Sequence, residues 1–84
     1  MKHDELLKIC SETLRDVLGD DSIALSMATR RQDVPAWDSF AYINFIAALE
    51  MRLNIRFGVA DVESFEDVGA IVRRSQSLLN AKGA

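Results

Sequence analysis

The sequence predicts an all-α fold: a small four-helix bundle of three main helices and a short third one, with a long loop between helices 1 and 2. Three observations lead there. Apolar residues recur at spacings of three and four in separate segments, as on one face of a helix. No stretch alternates apolar with polar residues as a half-buried strand would. Pro occurs once and Gly four times among 84 residues, so tight turns are few. With 49% hydrophobic and 27% charged residues the chain is too apolar to stay disordered, and its length suits one domain over residues 1–84.

The first helix is expected from Asp4 to Leu18. Leu6, Cys10, Leu14 and Val17 recur at spacings of four, four and three, Leu7 and Leu18 widen the stripe, and Gly19 follows where a left-handed residue costs least. Residues 20–37 hold no sustained helical period. Asp20-Asp21-Ser22 and Pro35 are turn chemistry, and Val34 before Pro35 is biased away from the helical conformation. Loops this long in so small a domain are often functional. Ile23, Leu25, Met27, Val34 and Trp37 are expected to pin it to the bundle.

A second helix is expected over Ser39–Leu53, with Asp38 as its N-cap. Residues 54–60 form a connection with Gly58 as its flexible point, and a short helical turn follows near Asp61–Ser64. The last helix is expected from about Glu66 to Asn80, with Val68, Ile71, Val72 and Leu78 facing inward. Ser64 and Asp67 resemble a capping box, which leaves that start open by two residues.

Charge and inventory exclude several functions. The net charge is −3 and the ten Lys and Arg are scattered, with the pairs Arg30-Arg31 and Arg73-Arg74 far apart, so no basic face for nucleic acid is expected. Cys10 is the single cysteine and forms no internal disulfide. Residues 1–5 lack the apolar run of a signal peptide, and no stretch suits a membrane span. The expectation is a cytoplasmic monomer with neither membrane nor nucleic-acid partner.

An enzyme is not expected. His3 is the only histidine and lies at the terminus, so Ser39 has no imidazole base and no Ser-His-acid triad exists. Cys10 lies on the apolar stripe and reads as a buried small hydrophobe. One Cys and one His cannot close a zinc site. Asp16, Asp20, Asp21 and Asp33 lack the alternating spacing and glycine of a calcium loop.

The second helix carries more apolar surface than a core needs. Tyr42, Phe45, Ile46, Leu49 and Leu53 form a wide core face, while Phe40, Ile43, Ala47 and Met51 follow spacings of three, four and four on another flank. Either the loop or the short third helix covers the second stripe, or it is an exposed ridge on which partners dock.

Asp38-Ser39-Phe40 at the head of that helix resembles the Asp-Ser-apolar signature of the acyl carrier protein family. The resemblance continues through Leu49-Glu50, Leu53, Ile55 and Phe57, and through Phe65 and Val68, which match positions seating the family's third and fourth helices. It covers residues 33–79 closely and the rest through the helix-then-loop layout. It implies that Ser39 is the attachment point of 4′-phosphopantetheine, donated from coenzyme A by a magnesium-dependent phosphopantetheinyl transferase. The arm's thiol would hold an acyl group as a thioester for acyl-loading and acyl-processing enzymes of fatty-acid or polyketide type. Asp38 would cap the helix and, by resemblance, assist the transferase's metal.

The chain departs from the family in ways that bear on docking. Ala41, Asn44, Met51 and Arg52 stand where the resemblance expects acids, leaving Asp38 and Glu50 as the acids near the ridge. Trp37 replaces a small residue. Both features resemble carriers serving one dedicated pathway, with docking expected at Phe40, Ile43, Ala47, Glu50 and Met51. The competing expectation is a helical interaction module of the same fold that is never modified.

Overall fold

The computed structural model describes residues 1–83. Helix α1 (His3–Leu18) opens where the Glu5 carboxylate accepts the Lys2 N–H at 3.1 Å, and it closes at Gly19, whose φ of 64° lies in the left-handed region. Along its inner face Leu6, Cys10 and Leu14 are wholly buried. Buried Thr13 is satisfied twice: its hydroxyl donates to Ile9 O at 2.6 Å and accepts from Arg52 at 3.1 Å.

The loop from Gly19 to Asp38 is anchored along its length. Ile23, Leu25 and Trp37 are buried and Met27 and Val34 half-buried, as the apolar pattern predicts. Backbone and side-chain bonds stitch it down. Arg15 Nε donates to Ile23 O at 2.6 Å, Val68 N to Thr29 O at 2.8 Å and Gly69 N to Met27 O at 2.8 Å. One 3-10 turn at Arg31–Asp33 interrupts the irregular backbone, with Asp33 accepting the Arg30 N–H at 2.9 Å.

Helix α2 (Ser39–Leu53) occupies its expected range and ends at Asn54. There the sequence expectation is corrected. The left-handed residue of the connection is Asn54, with φ 54°, while Gly58 sits at an ordinary φ of −75°. Asparagine tolerates that region better than other residues with a Cβ. The chain thus turns at once after α2, and Gly58 instead precedes α3 (Val59–Ser64), donating its N–H to Asp61 at 3.0 Å.

Helix α4 (Val68–Gly83) begins two residues later than Glu66. The Asp67 carboxylate accepts the Ala70 N–H at 2.8 Å, which makes Asp67 the residue that caps the helix from outside. Ser64 donates to Asp61 O instead, so the two do not form a capping box. The helix also runs past Asn80, and Lys82 near its end donates to Asn54 O at 2.7 Å.

The four helices share one core. Leu6 and Leu14 of α1, Phe45 and Leu49 of α2, and Val72 of α4 are all wholly buried. Trp37 packs edge-on against Phe45 with ring centroids 5.1 Å apart, and Phe57 against Phe65 at 5.3 Å. The Tyr42 hydroxyl donates to Val62 O at 2.6 Å and so ties α2 to α3. The radius of gyration, 11.8 Å, matches the ~12 Å of a compact chain this long, so the loop lies on the bundle rather than projecting from it.

Candidate functional site: the head and outer face of α2

The head of α2 is built by three consecutive residues with different tasks. Trp37 is buried to 3% exposure and fixes the incoming chain. Asp38 is extended (φ −79°, ψ −176°), accepts the Ala41 N–H on Oδ1 at 2.9 Å and offers its backbone carbonyl to Tyr42 N at 2.8 Å. Ser39 is then the first helical residue, and its side chain is exposed. The opening N–H groups of a helix lack carbonyl partners inside it, and the aligned peptide dipoles place partial positive charge there. No acidic residue occupies the first turn of α2 to neutralise that end.

Below Ser39 the outer flank of α2 is bare. Phe40 is 79% exposed, Ile43 58% and Met51 83%, and Ala47 is exposed between them. Neither the loop nor α3 covers this stripe, so the covered alternative is overturned. The reason lies in where each is tied. The loop is held to the first turn of α4, and α3 is drawn to the Tyr42 side of α2.

Glu50, the remaining ridge candidate, is half-buried and turned to a different task. Its Oε2 accepts the Phe57 N–H at 2.7 Å and braces the α2–α3 connection. Arg52 is also engaged, pairing with Asp16 and donating to Thr13 of α1. That bridge joins residues 36 apart and left no local pattern from which to read it.

Open clefts flank the ridge. One, of about 580 Å³, runs between the 3-10 turn and α3 and is lined by Arg31, Tyr42, Ile43, Val62, Phe65 and Glu66, among others. The Arg31 guanidinium lies 5.1 Å above the Tyr42 ring. Desolvation raises the Tyr42 pKa, and the Arg31 charge opposes that rise. The other cleft, also about 580 Å³, lies between the lower end of α2 and α4, beside Ala47 and Met51. Cys10 stands apart from all of this. Burial pushes its thiol up to about 12, so it stays protonated near neutrality and is a poor nucleophile.

The whole arrangement matches a solved structure. The solution NMR structure of a holo acyl carrier protein from Geobacter metallireducens superposes with a TM-score of 0.85 and 31% identity, over 92% of this chain and 88% of that one. The chain belongs to the acyl carrier protein family. No protein-family model and no curated protein matches it. As an acyl carrier protein it is a carrier rather than an enzyme, and the fold implies working contacts with enzymes in general. Among the described residues no helix of this carrier is long and apolar enough to cross a membrane.

Proposed function

We propose that this acyl carrier protein holds its cargo on a 4′-phosphopantetheine arm attached to Ser39 and serves enzymes of one dedicated pathway. The observation that carries the reading is an exposed serine at the first position of a 15-residue helix, capped by the aspartate before it. The residues fit a phosphodiester at this position. The hydroxyl is accessible, and an anion there faces the positive end of α2. Bound, the arm supplies a flexible thiol that carries an acyl group as a thioester.

Attachment requires that Ser39 Oγ bond to the phosphorus nearest the pantetheine of coenzyme A. The pyrophosphate bridge breaks, adenosine bisphosphate leaves, and the serine proton passes to a base of the transferase. The lack of a local base is no obstacle, since the transferase with its magnesium provides the catalysis. Asp38 holds the helix start and stands beside the reacting hydroxyl, where it could meet that metal.

The dedicated-pathway reading rests on the bare flank of α2. Phe40, Ile43, Ala47 and Met51 offer partners apolar contact, and Glu50 is spent on Phe57 N rather than free to meet a basic partner. Recognition then relies on apolar burial, which salt leaves largely intact, more than on ion pairs, which salt screens.

Intact mass after incubation with coenzyme A, magnesium and a broad-specificity transferase tests the proposal. A gain of one phosphopantetheine is expected. No gain with several transferases would favour the unmodified interaction module.

A further inference from the structure

One polar atom in the interior is left without a partner by the carrier machinery described above. Trp37 is 3% exposed, yet its indole Nε1 has no hydrogen-bond partner. A buried donor with no acceptor is costly, because it surrenders its bond to water and receives nothing in return. The same indole lines a small interior space of about 10 Å³, bounded also by Arg31, Tyr42, Phe65, Glu66 and Ile71. That volume suits a single water-sized group.

The space is not isolated. Arg31, Tyr42, Phe65 and Glu66 also line the cleft of about 580 Å³ between the 3-10 turn and α3, so the cleft leads to the indole. Tyr42 and Ile43, which line that cleft, lie three and four residues after Ser39 and so on its face of the helix. A chain tethered at Ser39 therefore has the cleft one helical turn away. The walls mix apolar surface with Arg30, Arg31, Gln32, Glu63 and Glu66, which is not the lining a plain hydrocarbon would select.

We propose that this cleft admits acyl cargo bearing an oxygen along the chain, an oxo or hydroxyl group, and that Trp37 Nε1 donates a hydrogen bond to it. This rests on the arm being attached at Ser39. A saturated chain entering the same space leaves the indole N–H unpaired. A chain with a suitably placed oxygen satisfies it, so Trp37 discriminates by the partner it lacks. Trp37 is a specificity-determining residue here and takes part in no bond-making step.

Trp37 is the only tryptophan, so its indole N–H gives a single resonance in nitrogen-labelled protein. The labelled chain is loaded by the transferase from three coenzyme A thioesters: a saturated six-carbon acyl group and its counterparts with an oxo group at the third or the fifth carbon. Intact mass verifies loading. At least one oxo chain should move the indole proton downfield and slow its exchange with solvent, while the saturated chain does neither. Trp37→Phe, which keeps an aromatic ring and removes the donor, should abolish any extra thermal stabilisation that the oxo chain gives over the saturated one. A loaded protein whose indole resonance responds alike to all three chains overturns this proposal alone, and leaves the space to a bound water. Absence of any mass gain overturns the attachment at Ser39 as well.

Discussion

Asp38 meets two demands at once, and they are separable by measurement. As the cap of α2 it satisfies the Ala41 N–H, and loss of such a cap costs about 1 kcal/mol. Asp38→Ala should therefore lower stability by about that amount in denaturant unfolding, and should also slow transfer of the arm if the carboxylate meets the transferase's metal. Reduced stability with an unchanged transfer rate would confine Asp38 to capping. Cys10 gives a second test at this scale. Its thiol is buried and its pKa raised to about 12, so an aromatic disulfide reagent should find no fast-reacting thiol in the unmodified native protein. After the arm is installed, one fast thiol should appear. A fast thiol before modification would contradict the burial of Cys10.

At the scale of elements, α2 is a helix with two apolar faces, and a charge placed on each separates them. Ile43→Glu on the outer flank should leave the thermal midpoint within a few degrees while weakening binding to partner enzymes, because Ile43 is already 58% exposed. Phe45→Glu should unfold the chain, since Phe45 is wholly buried and an unpaired carboxylate there has no compensation. The two stripes were legible from spacing alone, and so was Ser39 at the helix head. Which stripe would stay bare was not. It depends on the loop being stitched to α4 through backbone groups, Val68 and Gly69 N–H to Thr29 and Met27 carbonyls, and backbone bonds carry no side-chain signature.

That stitch is itself testable. A Cβ on Gly69 would lie 2.7 Å from Met27 O, a backbone atom that cannot swing aside as a side-chain tip could. Overpacking of this kind costs about 1–3 kcal/mol, and the lost hydrogen bond about 1 more, against about 1 gained from helix propensity. Gly69→Ala should therefore lower the melting temperature, although the residue is helical. A rise would show that the loop is free to move away. The turn after α2 shows the opposite limit of sequence reading. Gly58 is the residue with the greatest freedom, yet the left-handed conformation falls to Asn54, because geometry requires the reversal directly at the helix end.

Across the whole molecule, charge is used mainly to lock elements together. Asp61 accepts the Gly58 N–H and an Arg74 N–H, so it joins the start of α3 to α4, and these two bonds hold its carboxyl below the usual range. A depressed folded value means that this contribution is complete above the ordinary aspartate pKa and is lost as pH falls through the folded value. Acidification below about pH 4 should loosen the head of α3, seen as faster amide exchange at Gly58, and Asp61→Asn should show that loosening already at neutral pH. Arg52 with Asp16 does the same for α2 and α1. With its charged side chains engaged in this way, α2 presents partners a face that is largely apolar. Complex formation should then weaken only shallowly as salt rises, and a steep salt dependence would mean that ion pairs outside the ridge dominate.

The central claim is that the arm is carried on Ser39, and fragmentation mass spectrometry of the modified protein tests it most directly. The account predicts one phosphopantetheine per chain, located on Ser39, and none on a Ser39→Ala variant whose helical circular dichroism matches the parent. An adduct mapped to Ser11, Ser22, Ser26 or any other serine, or one that persists in Ser39→Ala, would contradict it.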